Sequence, residues 1–213
     1  MNGTLREKGE DFIKKVLGFI FSRSLQDKCK REDIREAFNL TEFEANSLID
    51  ELKVEGLIEE NQGIILTVEG RKKITVVLTG GVFDIIHRGH VYTLSKAKTL
   101  GDVLVVVVAR DKIVERIRGK PAMNSERDRA ELVNSIKYVD VALLGSEDDP
   151  LGAMYVVKPD IIAIGYDQKH NEREIETKAL ERGLKVQVKR LDSPIPDMKS
   201  TRIKKEKDTI ESF

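Results

Sequence analysis

From residue 5 to about residue 57, apolar side chains recur three and four positions apart: Phe12, Val16, Phe19 and Ile20, then Ile34 and Phe38, then Phe43, Leu48 and Leu52. Residues at that spacing share one face of an α-helix, so the pattern predicts three short amphipathic helices. Thr41 with Glu44 three residues later has the form of a capping box opening the third helix, and Gly56 supplies its stop. Leu57 and Ile58, a turn at Asn61-Gln62-Gly63, and the apolar run 64–68 predict a small hairpin. Three helices and a hairpin are the pattern of a winged helix-turn-helix domain, expected over residues 1–72.

The pattern changes at residue 73. Apolar runs at 74–78, 103–109, 139–144, 161–165 and 186–191 alternate with helix-like stretches that begin near Gly89, Ser125, Leu151 and Glu172. Strands apolar on both sides, separated by helices, predict a parallel sheet covered on both faces. The expectation for residues 73–213 is an α/β, doubly wound, five-stranded domain of Rossmann-like type. In such a sheet ligands bind beyond the carboxyl ends of the strands, which is where chemistry should be sought. Residues 70–73 read as a short polar junction between the two regions.

Charge narrows the choice of partner. Lysine plus arginine and aspartate plus glutamate both number 37, so no overall basic excess draws the chain to nucleic acid or anionic membrane. DNA binding by the winged-helix region would place its third helix in the major groove. That helix holds Glu42, Glu44, Asp50, Glu51 and Glu55 against Lys53, and residues 1–72 carry 15 acids against 12 bases. DNA affinity comes largely from cations on phosphates, so a packing, dimerisation or regulatory module is expected instead. The single cysteine, Cys29, excludes a disulfide or a cysteine-based zinc cage within one chain. The longest apolar run is too short to span a bilayer and the first ten residues are too polar for a secretory signal, so a cytoplasmic protein is expected.

The first strand of the second region runs into Gly81-Val82-Phe83-Asp84-Ile85-Ile86-His87-Arg88-Gly89-His90. Gly80 and Gly81 allow a tight turn and a close approach of backbone to ligand. Gly89 leaves room at a helix start, where free N–H groups and the helix dipole favour a phosphate. Two of the chain's three histidines, His87 and His90, lie three apart at this entry, so both can point at that phosphate and donate an N–H to it. A zinc pair would need a third histidine or a cysteine nearby, and the sequence places none there; no metal-ligating residues are predicted.

This segment resembles the GxFDxxHxGH signature of the cytidylyltransferase-like nucleotidyltransferases. The resemblance extends through Ala109-Arg110-Asp111, Arg118-Gly119-Lys120, a helix bearing Arg127 and Arg129, Tyr138-Val139-Asp140, Gly165-Tyr166-Asp167-Gln168 and Ser200-Thr201-Arg202-Ile203. It implies in-line attack of an acceptor phosphate on the α-phosphorus of a nucleoside triphosphate, with Mg2+ on the phosphates, no tightly bound cofactor and no covalent intermediate. His87, His90 and Lys120 are then the catalytic set. Gly81, Val82, Phe83, Gly89, Arg129, Asp140, Gly165, Asp167, Ser200 and Thr201 join the two histidines around the nucleotide. Asp84, Asp111 and Lys120 meet the acceptor. From the residues alone, Asp84 serves equally to fix the turn, Asp111 to cap a helix, and Ser200 and Thr201 to cap the last one.

Within the superfamily the run looks most like the archaeal FAD synthases, through Val108-Ala109-Arg110-Asp111, Lys158-Pro159-Asp160-Ile161-Ile162 and Gly165-Tyr166-Asp167-Gln168. That implies ATP and FMN as substrates and a homodimer. Phe83, Ile86, Tyr92 and Met123 offer apolar surface for a flavin ring, although packing explains them as well. Glycerol-3-phosphate cytidylyltransferase is the nearest alternative. Its Arg-Thr-Glu-Gly-Ile-Ser stretch is here replaced by Ser193-Pro194-Ile195-Pro196-Asp197-Met198-Lys199, without the arginine. A retired transferase domain that senses a nucleotide for a transcriptional regulator is the reading of another class.

Overall fold

The structure is a computed structural model that describes residues 9–149, 151–166, 168 and 171–192. The chain divides into two compact units, Met1–Thr75 and Val76–Phe213.

In the first unit, helices α1 (Glu10–Ser24), α2 (Arg31–Ala37) and α3 (Glu42–Val54) precede an antiparallel pair, β1 (Ile58–Glu60) and β2 (Ile64–Leu66). The predicted capping box is formed: Thr41 Oγ1 accepts from Glu44 N, and the Glu44 carboxylate accepts from Thr41 N at 2.8 Å. Val16, Leu17, Ile20, Ile34, Leu48, Ile49, Leu52 and Ile64 are buried. The expected second strand of the hairpin is shorter than the apolar run. Thr67 takes the hydrogen bond of Gly70 N and opens a short helix, α4 (Val68–Lys72), where a polar junction was expected.

One ion cluster ties this unit together. The Arg31 guanidinium grips the Glu60 carboxylate with both prongs, Nε to Oε1 at 2.7 Å and Nη2 to Oε2 at 2.6 Å. It also donates to Asn46 and Asp50 on α3, and Lys53 reaches Glu60 at 3.0 Å. The paired Arg31 holds the Glu60 carboxyl down to about 2. Burial has the opposite effect on Cys29, whose thiol is fully covered and pushed up to about 12.

The second unit is a five-stranded, all-parallel sheet in the order β5-β4-β3-β6-β7, built from β3 (Val76–Gly81), β4 (Val103–Val108), β5 (Val141–Leu144), β6 (Ile161–Ile164) and β7 (Gln187–Arg190). Five helices are interleaved: α5 (Arg88–Lys98), α6 (Asp111–Arg118), α7 (Glu126–Asn134), α8 (Gly152–Val157) and α9 (Glu172–Glu181). Val77, Leu104, Val106 and Val108 form one core cluster with Leu94 and Ala97 of α5 and Val133 of α7. The alternate residues Val76, Leu78, Val103 and Val105 are buried too, so both registers of the central strands are covered, as a doubly wound sheet requires.

Helix α6 was expected only as the helix that Asp111 caps. Its sequence is mostly charged and buries only Val114, but Gly119 ends it in the left-handed conformation at φ 69°. Among the described residues, no helix is long and apolar enough to cross a membrane.

Because Glu60 has a lower pKa folded than unfolded, its contribution to stability is complete above about 4.5 and is lost as pH falls toward 2. Glu60→Gln is expected to destabilise the first unit at neutral pH by about 1 kcal/mol, the range of a partly exposed, well-aligned pair. Chemical denaturation of both proteins should show that difference at pH 7 and its disappearance near pH 2.

Candidate active site

The strand order reverses at β3, which pairs with β4 on one side and β6 on the other. The crevice of a doubly wound sheet opens at such a switch point, beyond the carboxyl ends of the strands. Here those ends carry Gly80 and Gly81 from β3 and Gly165 after β6. Gly80 passes so close to β4 that a Cβ there would lie 3.3 Å from the Val107 carbonyl oxygen. At Gly81 a Cβ would lie 2.9 Å from the Phe83 ring. Phe83 itself has φ 53°, a left-handed conformation unfavourable for a bulky residue, and its buried ring lies against His90 at 5.2 Å between centroids. The loop leaving β3 is therefore wound tightly around one aromatic ring, and His90 rests on that ring.

His87 is the N-cap of α5. Its Nδ1 accepts from Gly89 N at 3.2 Å, which puts the ring proton on Nε2 as long as the cap is made. The two imidazoles stack at 3.9 Å between centroids and 25° between planes. A neutral His87 offering Nε2–H beside the positive end of α5 is a preorganised donor for a phosphate oxygen.

Arg129 departs from its expected role. It was expected to contact the nucleotide, but its side chain is fully buried in the protein. The guanidinium donates to the carbonyl oxygens of Asn124 at 3.1 Å, Val82 at 2.5 Å and Ala109 at 2.7 Å, and to Asp111 Oδ1 at 2.7 Å. It binds the backbone of the site together instead of reaching into it. Asp111, half exposed at the start of α6, has its other oxygen on Glu126 N at 3.1 Å. Glu126 answers by accepting from Asp111 N and Arg110.

Asp84 is buried as well, which favours the turn-fixing reading over contact with the acceptor. Its Oδ1 accepts from Met123 N at 2.8 Å and Asn124 N at 3.2 Å, its Oδ2 meets Arg118 at 3.4 Å, and its carbonyl accepts from Asn124 Nδ2 at 2.6 Å. Lys120 lies between these anchors, exposed and without an ion pair among the described residues.

Asp140 lies at the wrong end of the sheet for a nucleotide contact. It precedes β5, and its Oδ2 accepts from Leu104 N at 2.6 Å and Lys98 Nζ at 2.5 Å. Asp160, before β6, does the same for Val76 N at 2.7 Å. Both carboxylates satisfy an N–H near the start of a neighbouring strand at the amino ends, across the sheet from the crevice.

Gln168 is a residue the sequence reading quoted within a motif but did not assign. Its Nε2 donates to Gly80 O at 2.8 Å and its Oε1 accepts from Gly165 N at 3.1 Å, joining β3 and β6 across the switch point. Arg190 of β7 donates to the carbonyls of Gln168 and Gly165. Of the apolar residues considered for a flavin, Phe83 is buried, Ile86 packs against the core, Tyr92 is hydrogen-bonded to Asp192, and Met123 is 58% exposed. Gly81, Val82, Phe83, Gly89, His87, His90 and Gly165 lie at the carboxyl ends of β3 and β6 or on the segments that follow them. Asp167, Ser200 and Thr201 lie outside the described residues.

A family model described as cytidylyltransferase-like matches residues 78–206. A protein named FAD synthase from Aciduliprofundum boonei is 55% identical over 115 residues, covering 54% of this chain and 76% of that protein. One of the same name from Pyrococcus abyssi is 45% identical over 123 residues, covering 57% and 82%. A crystal structure from Thermoplasma volcanium, described as a lipopolysaccharide core biosynthesis protein, superposes with a TM-score of 0.54 at 44% identity over 56% of this chain and 98% of that one.

Arg129→Ala leaves three backbone carbonyls and one carboxylate without their donor, and should cost about 3 kcal/mol of stability. Arg129→Lys should recover little, because an ammonium cannot serve acceptors in a fixed fork. Denaturant titration checks this, and a loss below about 1 kcal/mol would return Arg129 to the list of phosphate ligands.

Proposed function

The chain belongs to the cytidylyltransferase-like family, and on that premise we propose that it transfers AMP from ATP to FMN, giving FAD and pyrophosphate. The observation that carries this reading is the 55% identity to a FAD synthase over 76% of that relative's length. The site has the chemistry such a reaction needs: donors and cations around a phosphate, with no requirement for a nucleophilic side chain.

In this reading the FMN phosphate oxygen attacks the α-phosphorus of ATP in line. A new P–O bond forms as the bond from the α-phosphorus to the bridging oxygen breaks, and pyrophosphate leaves with that oxygen's electron pair. His87 donates its Nε2–H to an α-phosphate oxygen, His90 supports the same group, and the start of α5 adds its dipole. Lys120 neutralises the acceptor phosphate, with Asp84 holding the segment that carries it. Gly81, Val82, Phe83 and Gly165 shape the nucleotide side of the crevice, while Ser200 and Thr201 take the leaving phosphates and Asp167 meets the nucleotide. Mg2+ bound to ATP would supply charge neutralisation on the phosphates, while the chain's own donors orient them. Among the described residues no group of three or more His, Cys, Asp or Glu side chains is gathered for a metal.

The first unit is read as a winged-helix-like module that does not bind DNA, since α3 presents acids where phosphates would lie. A homodimer working in the cytoplasm completes the proposal.

Pyrophosphate release should require ATP and FMN together with Mg2+, and His87→Ala and His90→Ala should each lower kcat by roughly 100- to 1000-fold. Release with CTP and glycerol 3-phosphate instead would establish the cytidylyltransferase alternative. Nucleotide-dependent DNA binding without any release would establish the regulator.

A further inference from the structure

We propose that Ile117 and Met123 form the surface on which the isoalloxazine ring of the acceptor lies. The inference rests on FMN being that acceptor, as argued above. Large apolar side chains are exposed at several points of the second unit, including Leu132, Val156 and Leu180. Ile117 and Met123, at 74% and 58% exposure, differ from these in where the chain is anchored.

Asp84, three residues before His87, holds both ends of the link between α6 and α7. Its Oδ2 meets Arg118, next to Ile117, and its Oδ1 accepts from the backbone N–H of Met123 itself. Asn124, the next residue, donates its side-chain amide to the Asp84 carbonyl and gives its own carbonyl to the buried Arg129. The link is therefore fixed by buried groups of the β3–α5 loop, yet its apolar side chains face outward. Pro121, within it, further limits its conformations.

The composition of this segment matches the two chemistries of the acceptor. Arg116 and Lys120 carry no ion pair among the described residues and suit a phosphate. Ile117 and Met123 suit a planar, largely apolar ring, and a thioether makes favourable contacts with aromatic systems. With no tryptophan in the chain and Phe83 committed to the core, Ile117 and Met123 join Val91 of α5 as exposed apolar side chains on segments tied to the site loop.

The test compares wild type with Ile117→Ala, Met123→Ala and Met123→Leu in FAD formation from ATP, Mg2+ and FMN, with FMN binding followed separately by flavin fluorescence. Each alanine variant should raise the KM and Kd for FMN roughly tenfold, as expected for loss of a large apolar contact. The KM for ATP, kcat and the thermal midpoint should stay near wild type, and Met123→Leu should bind FMN within about twofold of wild type. Unchanged FMN affinity in both alanine variants of an enzyme that makes FAD would overturn this surface alone. Absence of FAD formation by wild type would overturn the acceptor assignment, and this surface with it.

Discussion

A single buried guanidinium sets the geometry of the crevice. Arg129 enters from α7 and spends its donors on Val82 after β3, Ala109 after β4, and Asn124 and Asp111 on either side of α6. Burying a cation is costly unless it is paired and hydrogen-bonded, and here backbone carbonyls supply most of the compensation. The planar fork reaches acceptors on separate segments at once, which a lysine could not do. Phe83 can keep its strained backbone, and His90 its place against the Phe83 ring, because the carbonyl just before Phe83 is held by this group.

The two ends of the sheet are finished by different means. At the amino ends, Asp160 takes the first N–H of β3 and Asp140 the second of β4, closing the sheet with charge-assisted bonds. At the carboxyl ends the backbone is kept open and narrow by glycine, and Gln168 and Arg190 span the gap between β3, β6 and β7. One end is sealed for stability and the other is braced around a space, which is the division a ligand-binding parallel sheet needs.

Much of this was legible in the chain. The five apolar runs became the five strands, with ends shifted by up to three residues, because a long apolar run states a buried strand directly. The capping box at Thr41 and the His87–His90 pair at the entry of a helix were local patterns and were formed as read. What was not legible depends on contacts between distant segments. The sign of a residue's charge does not say whether it faces ligand or protein, so Arg129 read as a ligand contact is buried against the protein, and Asp84, read either way, takes the turn-fixing place. Asp140 lay in a motif whose neighbours touch the site in sequence only; its place before a strand puts it at the far end. The short α4 carried too few apolar residues for periodicity to register. Gln168 stood in a quoted motif, but its double bond across the switch point requires knowing that β3 and β6 are neighbours.

A phosphate bound at the start of α5, opposite a neutral His87, is what the site is built to hold. A crystal structure with Mg2+ and a non-hydrolysable ATP analogue tests it most directly. The account predicts an α-phosphate oxygen about 2.7–3.1 Å from His87 Nε2, with Nδ1 still capping Gly89 and Arg129 still buried. A triphosphate seated elsewhere, or Arg129 withdrawn from Val82 and Ala109 to contact it, would contradict the account.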